Sequence, residues 1–195
     1  MTRTIDDLVG PRANQLENIT ESFRILYNHL KTTVNYGLLT GANLISYSIS
    51  GLAGPVTAGA MMLGKALLNF KKGMKTEWSK LYKEGWKGLL LGNLAKIFYQ
   101  NIINAIPNKN ICGKICRALA YNPGFMGGIY NPVYLKSTQL LENKVTQKDE
   151  WQTLTKRIFK YNFIPHFLTT NYLRNVQQQV ASSAFLGTAY RVLAG

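Results

Sequence analysis

Acidic side chains are what this chain of 195 residues has least of: nine Asp and Glu stand against twenty-three Lys and Arg, a formal charge of +14. Such an excess restricts partners to anionic ones, or places the chain in a membrane with its cations sorted to one side. Cysteine and histidine are scarcer still. Cys112 and Cys116 lie four apart with no histidine near, and His29 and His166 are isolated, so no zinc ligand set is legible. There is no Gly-x-Ser-x-Gly elbow and no Gly-x-x-x-x-Gly-Lys-Ser/Thr loop. No enzyme activity, no cofactor and no metal is therefore expected. The amino terminus has Asp6 and Asp7 and no apolar run, so any targeting signal is expected to be internal.

What is present is a stretch of 33 residues, Thr32 to Gly64, without one charged side chain and with Gly54-Pro55 inside it. Wholly helical, it would extend ~50 Å, more than a ~30 Å hydrocarbon core needs. It reads as a first span, 32–54, that kinks or ends at Gly54-Pro55. Further spans are expected over 88–106, with Lys96; over 118–135, with Pro123 and Pro132; and from 161 onward, with Arg174. Gly37-x-x-x-Gly41 and Gly124-x-x-x-Gly128 predict close helix approach, and Gln177-Gln178-Gln179 either hydrogen bonds across helices or a face toward a polar cavity. The mean hydropathy, −0.08, is low for such a protein and keeps a soluble basic adaptor as a competing reading.

The bases follow the spans. Lys65 to Lys87 holds seven lysines and Lys136 to Lys160 six basic residues, whereas Pro107 to Arg117 holds three. Four antiparallel spans put both rich segments on one side and both termini on the other. The lysines are not interleaved with exposed aromatics in tracts, so nucleic acid is not expected as a partner. Ahead of the spans, Leu16, Ile19, Phe23, Leu26 and Leu30 mark an amphipathic helix, giving an N-terminal element over 1–31.

The two halves repeat. Glu77-Trp78 with Leu81 matches Glu150-Trp151 with Leu154, Gln100-Asn101-Ile102 matches Arg174-Asn175-Val176, and Gly54-Pro55 and Asn131-Pro132 occupy corresponding places. The unit is a kinked helix, a basic surface helix and a returning helix, once over 32–112 and once over 113–195. The predicted class is all-α, a membrane helical bundle.

Glu84-Gly85-Trp86-Lys87-Gly88-Leu89-Leu90-Leu91-Gly92 resembles the turn that opens the even helices of the mitochondrial carrier family. Asn131-Pro132 resembles that family's odd-helix break, and Leu173-Arg174-Asn175-Val176 with Thr188-Ala189-Tyr190 its last even helix. The resemblance implies a multi-pass protein of the mitochondrial inner membrane, basic loops toward the matrix. The chain departs from the family where salt-bridge gates belong: Thr57, Ala60, Tyr134 and Ser137 replace its charged pairs, and two repeats stand where it has three. With no carboxylate inside a predicted span, the expectation is a carrier that no longer cycles. It would serve as a structural or accessory subunit of a respiratory-chain or ATP-synthase complex, with other subunits and the membrane as partners. Lys71, Lys72, Lys80 and Lys83 are the candidates for lipid headgroups, cardiolipin among them. The alternative is a transporter of an anionic metabolite, completed by oligomerisation, with Lys96, Gln100 and Arg174 on the path. A small channel-like organelle membrane protein is a further reading.

Overall fold

A computed structural model describes residues 6–145 and 148–194, and among these every regular element is helical. The chain forms two compact units, residues 1–38 and 39–195. Helix α1, Asp6–Ser50, belongs to both. In the first unit Phe23, Leu26 and Leu30 are exposed, whereas the side chains of Leu16 and Ile19 lie outside the described residues.

The second unit is built from the end of α1 and six further helices. α1 stops where Gly51 turns left-handed, at φ 60°, a conformation that costs glycine little. Its N–H donates to the Tyr47 carbonyl at 2.7 Å. α2 (Ala53–Lys71) then starts, with Pro55 in its first turn, where a missing N–H removes no helical bond. The break expected at Gly54-Pro55 thus falls earlier, and the proline begins a helix rather than kinking one. α2 and α3 (Trp78–Asn101) form an antiparallel hairpin turned at Gly73, φ 63°.

The tightness of that hairpin comes from the glycines of the Glu84–Gly92 segment. A Cβ on Gly88 would lie 2.5 Å from the Cα of Ala58, and one on Gly92 2.5 Å from the Ala53 carbonyl oxygen. The two glycine pairs read from the sequence do no such work. A Cβ on Gly37, Gly41 or Gly128 would meet nothing within 4 Å, and one on Gly124 only the Leu119 carbonyl at 3.6 Å.

After a 3₁₀ turn at Ile103–Ala105 come α4 (Ile111–Leu119), an eleven-residue π-helical stretch (Ala120–Tyr130) and α5 (Asn131–Glu142), without a non-helical residue between them. Pro123 lies within the wide turns and Pro132 just after them. The expected proline break is therefore a change of winding, which accommodates the missing donors while the helix continues.

α6 (Lys148–Tyr172) and α7 (Val176–Ala194) correct the last expected span, which is two helices rather than one. Asn175 makes the break: its side-chain oxygen accepts from the Gln177 N–H at 2.8 Å and starts α7. In both halves the expected surface helix, around Trp78 and around Trp151, is the first part of a longer helix, α3 or α6. No proline or left-handed residue separates Trp78 from Asn101, and Pro165 of α6 lies well past Trp151.

Contacts fix the directions. Gly64 meets Thr188, and Lys71 donates to the Val192 carbonyl at 3.0 Å, so α2 and α7 run parallel. Tyr99 pairs with Ser183 and Glu84 with Arg191, so α3 opposes α7. Trp151 donates to the Gly127 carbonyl and Asn171 to that of Lys114, so α6 opposes the α4–α5 rod. The α2–α3 and α5–α6 turns, which carry the two basic segments, consequently share one end with the last turn of α7. That placement of α7 reverses the side expected for the carboxy-terminal end.

The interior is unusually polar. Ala53, Ala95, Tyr99, Ile103, Tyr121, Phe125, Met126 and Val180 form one apolar cluster, and Leu39, Ala58, Tyr82 and Leu89 a second. Buried with them are Ser46, Ser50, Thr57, Asn122, Asn131, Asn162, Thr170 and Gln179. Large apolar side chains point outward instead, among them Phe70 at 85% exposure and Ile49 and Ile164 at 72%. No helix among the described residues is long and apolar enough to cross a membrane.

Candidate functional site

The basic end of the second unit contains a buried ion network. The side chain of Lys87 is 0% exposed, and its ammonium donates to Glu84 at 2.6 Å, to Glu142 at 2.8 Å and to the Thr138 hydroxyl at 3.2 Å. Arg191 reaches the other oxygen of Glu84 at 3.1 Å, and Lys144 pairs with the other oxygen of Glu142 at 3.3 Å. Tyr134 lies between the cations, its ring centre 4.8 Å from the Lys87 ammonium and 5.1 Å from the Arg191 guanidinium. One network therefore ties α3, α5 and α7 together. It overturns the argument that no carboxylate is placed to latch the helices. Glu84 lies in the second turn of α3 and Glu142 ends α5, both outside the expected spans.

Behind the network lies a cavity of about 210 Å³, bounded by α2, α3, the π-helical stretch, α5, α6 and α7. Its wall includes Tyr121, Tyr130, Tyr134, Tyr190, Met61 and Met126, and Arg191 lines it at the network. Arg157 also lines it, and no carboxylate pairs with that guanidinium among the described residues. The cavity can therefore take a small anion with an apolar or aromatic body: the walls supply packing, and Arg157, an exposed residue at its edge, a charge with no carboxylate beside it among the described residues.

Away from the basic end the cavity is closed by packing rather than by ion pairs. Tyr99 stacks on Tyr121 with ring centres 4.6 Å apart, and its hydroxyl meets Ser183 at 2.8 Å. Below this layer Arg117 donates to Asn104 at 2.6 Å, and Gln179 donates to the Leu173 carbonyl at 2.7 Å. Gln177 donates to the Ser50 carbonyl at 3.0 Å, so the expected interhelical bonds of the glutamine run are present. Ser46 and Ser50 of α1 both donate to Asn93 of α3. Beside the closure, both ring nitrogens of His166 and both amide atoms of Asn122 are buried without a partner. His166 packs edge-on against Tyr121, ring centres 4.9 Å apart.

The residues assigned to a solute path do not converge on this cavity. α3 faces it with Leu91 and Ala95, whereas Lys96 is half-buried on another side and Gln100 is exposed. Arg174 stands exposed in the link between α6 and α7, not inside a span, because Asn175 breaks the helix there. Arg157, Arg191 and Tyr134 line the cavity instead. In the sequence Arg157 carries no local signal that sets it apart from the other bases of its segment.

The four lysines assigned to headgroups do gather at the α2–α3 turn, but in different states. Lys71 donates to the last carbonyls of α7, Val192 and Leu193, and so acts as a cap. Lys80 pairs with Glu77 at 2.7 Å, and that hydrogen bond and its charge hold the Glu77 carboxyl below its ordinary range. Lys72 is exposed and Lys83 half-buried. Cys112 and Cys116 are free thiols exposed on α4. Comparison with family models, with curated proteins and with solved structures finds no match for this chain.

Proposed function

We propose that this protein is a carrier-like integral protein of the mitochondrial inner membrane, held in one conformation and serving as an accessory subunit of a larger respiratory-chain or ATP-synthase assembly. The observation that carries the membrane part is the inverted distribution of side chains. Amides, hydroxyls and an ion network share the interior with two apolar clusters, while Phe70, Ile49, Ile164 and other large apolar groups face outward. In water that outer surface is a liability; in lipid it is the solvated one. The buried Ser, Thr, Asn and Gln side chains among these helices lower their mean hydropathy, so the helices would enter the bilayer as a bundle. Sorting of Lys71, Lys72, Lys75, Lys80, Lys83, Lys136 and Lys144 to one end fits the bias of matrix-side loops. The compartment itself rests on the resemblance of the Glu84–Gly92 and Asn131-Pro132 segments to the carrier family.

The static part rests on asymmetry between the two ends. A cycling carrier must open each end in turn. Here one end is latched by charges, and the other is closed by aromatic packing and amide bonds, with no ion pair to exchange among the described residues. Native membranes solubilised in mild detergent test the reading: the protein should migrate in an assembly far larger than its own mass, and migration alone would count against it.

A second reading, transport of a small anion, is favoured by one observation: Arg157 lines the cavity without a carboxylate. Uptake of an organic anion into proteoliposomes that Arg157→Ala abolishes would establish it and displace the static account. Of the four lysines at the α2–α3 turn, Lys72 and Lys83 remain the candidates for anionic lipid headgroups such as cardiolipin, since Lys71 caps α7 and Lys80 pairs with Glu77.

A further inference from the structure

α6 meets the rod of α4 and the π-helical stretch along a polar seam. Trp151 bonded to Gly127 and Asn171 bonded to Lys114 bracket it, and the ring of Tyr121 stands edge-on to His166, centres 4.9 Å apart. On α6 the residues buried there are Asn162, His166 one turn on, and Thr170 one turn beyond, the last two at 0% exposure. On the rod they are Arg117, Ala118, Tyr121 and Asn122, none more than 6% exposed. Hydrogen bonding in this layer is incomplete. Both ring nitrogens of His166, both amide atoms of Asn122 and Nε of Arg117 are buried without a partner. Buried polar atoms of folded proteins are paired with few exceptions, so such a cluster marks a place where another molecule supplies the bonds.

The backbone changes its winding at the same place. Asn122 lies in the first turn of the π-helical stretch, and Pro123, which follows, has no N–H to give to the preceding turn. Such irregular turns are where a water or a side chain inserts into a helix ladder. The donor and acceptor set then selects the occupant. A neutral imidazole offers one N–H and one lone pair, and a primary amide two N–H groups and a carbonyl oxygen. The partner must therefore both donate and accept, which a simple ion does not. A cation is further opposed by the Arg117 guanidinium, one turn before Tyr121, whereas the buried carboxylate of Glu84 lies at the other, basic end. Tyr121 and Asn162 both line the cavity, so the layer of His166 and Asn122 lies just behind the cavity wall.

The geometry points to an internal hydration site: a small cluster of ordered water molecules between α6 and the π-helical stretch, bonded to His166 and Asn122 and supplied from the cavity past Tyr121 and Asn162. An internal water makes about three hydrogen bonds, so about two molecules satisfy the four unpaired atoms of His166 and Asn122 and bond to each other. The site wets the inner side of the Tyr99–Tyr121 layer that closes the cavity. It does not depend on the membrane or carrier reading, because every group involved belongs to the interior of the second unit.

Hydroxyl-radical labelling by X-ray radiolysis of the full chain in detergent tests it, since radicals born from a bound water oxidise the side chains beside it even where bulk solvent does not reach. Fragment masses locate each oxidation. His166 should be oxidised although it is 0% exposed, while Ile103, equally buried in an apolar cluster, stays unmodified. Between residues of one type, Tyr121 at 1% exposure should label faster than Tyr82 at 5%, which sits in the second apolar cluster. Asn122→Leu removes half of the unpaired atoms of the pair and should slow the labelling of His166, with Ile103 still protected. A His166 that stays unlabelled in the parent protein overturns the inference without any variant. Labelling that Asn122→Leu leaves unchanged overturns it too. Native mass spectrometry should give the mass of the bare chain, and a retained solute that Asn122→Leu releases would replace water as the occupant and refute the hydration site.

Discussion

Removing the ammonium of Lys87 should loosen the basic end of the bundle more than any other single change there. The methylenes of Lys87 are wholly buried, so Lys87→Met keeps the volume and deletes only the charge. Glu84, whose side chain is 5% exposed, would keep Arg191, and Glu142, at 21%, would keep the exposed Lys144. Breaking a buried pair by removing one partner costs about 3–5 kcal/mol, and the partial exposure of Glu142 and the surviving Arg191 contact argue for the lower figure, about 3 kcal/mol. For a chain of this size that corresponds to a fall in melting temperature of roughly 6–12 °C. Glu142→Gln alone should cost about 1–2 kcal/mol, since an amide still accepts from Lys87 but without the charge. Because the two side chains touch, the double variant should lose about 1–3 kcal/mol less than the sum of the singles. Thermal melting followed by circular dichroism in one detergent, across all four proteins, gives the cycle. Strict additivity, or a Lys87→Met protein that melts with the parent, would show that the network does not hold α3, α5 and α7 together.

Other consequences are smaller or local. Gly88→Ala should destabilise by about 1–3 kcal/mol, because its Cβ meets backbone atoms of α2 that cannot yield. Gly41→Ala, with open space around it, should be neutral or up to about 1 kcal/mol stabilising, and the reverse order of the two melting temperatures would contradict the packing described. Asn110→Ala removes the side chain that accepts from the Gly113 N–H at 2.8 Å and should cost about 1 kcal/mol, seen as faster amide exchange in the first turn of α4. Replacing the unpartnered His166 by Phe should raise stability by about 1–3 kcal/mol if its two nitrogens face no ligand or water, and a loss would show that they are satisfied in solution.

Much of the helical content was legible because it depends on local pattern. The charge-free stretches, the glycine-rich segment after Glu84 and the two lysine-rich segments each carry their information within a few turns. Long-range consequences were not legible. Glu84 and Arg191 are 107 positions apart, and Lys87 and Glu142 are 55 apart, so nothing local pairs them. Both carboxylates sit near helix ends, where charge is ordinary, and so outside the spans the apolar pattern marks. The same locality misassigned Arg174: a base in an apolar run reads as intramembrane until Asn175 is seen to cap a new helix. Glycine spacing misled in a similar way. The i, i+4 pattern at Gly37 and Gly41 is identical to that at Gly88 and Gly92, and only the neighbour that each pair meets tells them apart.

The central claim is that the polar-cored, apolar-surfaced bundle lies in a bilayer with its lysine-rich turns on one side. Single cysteines placed in the α2–α3 turn (Lys75→Cys) and in the α3–α4 link (Lys109→Cys), on the Cys112→Ser, Cys116→Ser background, test it in sealed inner-membrane vesicles of known sidedness. The account predicts that a membrane-impermeant thiol reagent labels one of the two and spares the other until detergent is added. Equal labelling of both in intact vesicles, with the protein released by alkaline carbonate, would contradict it.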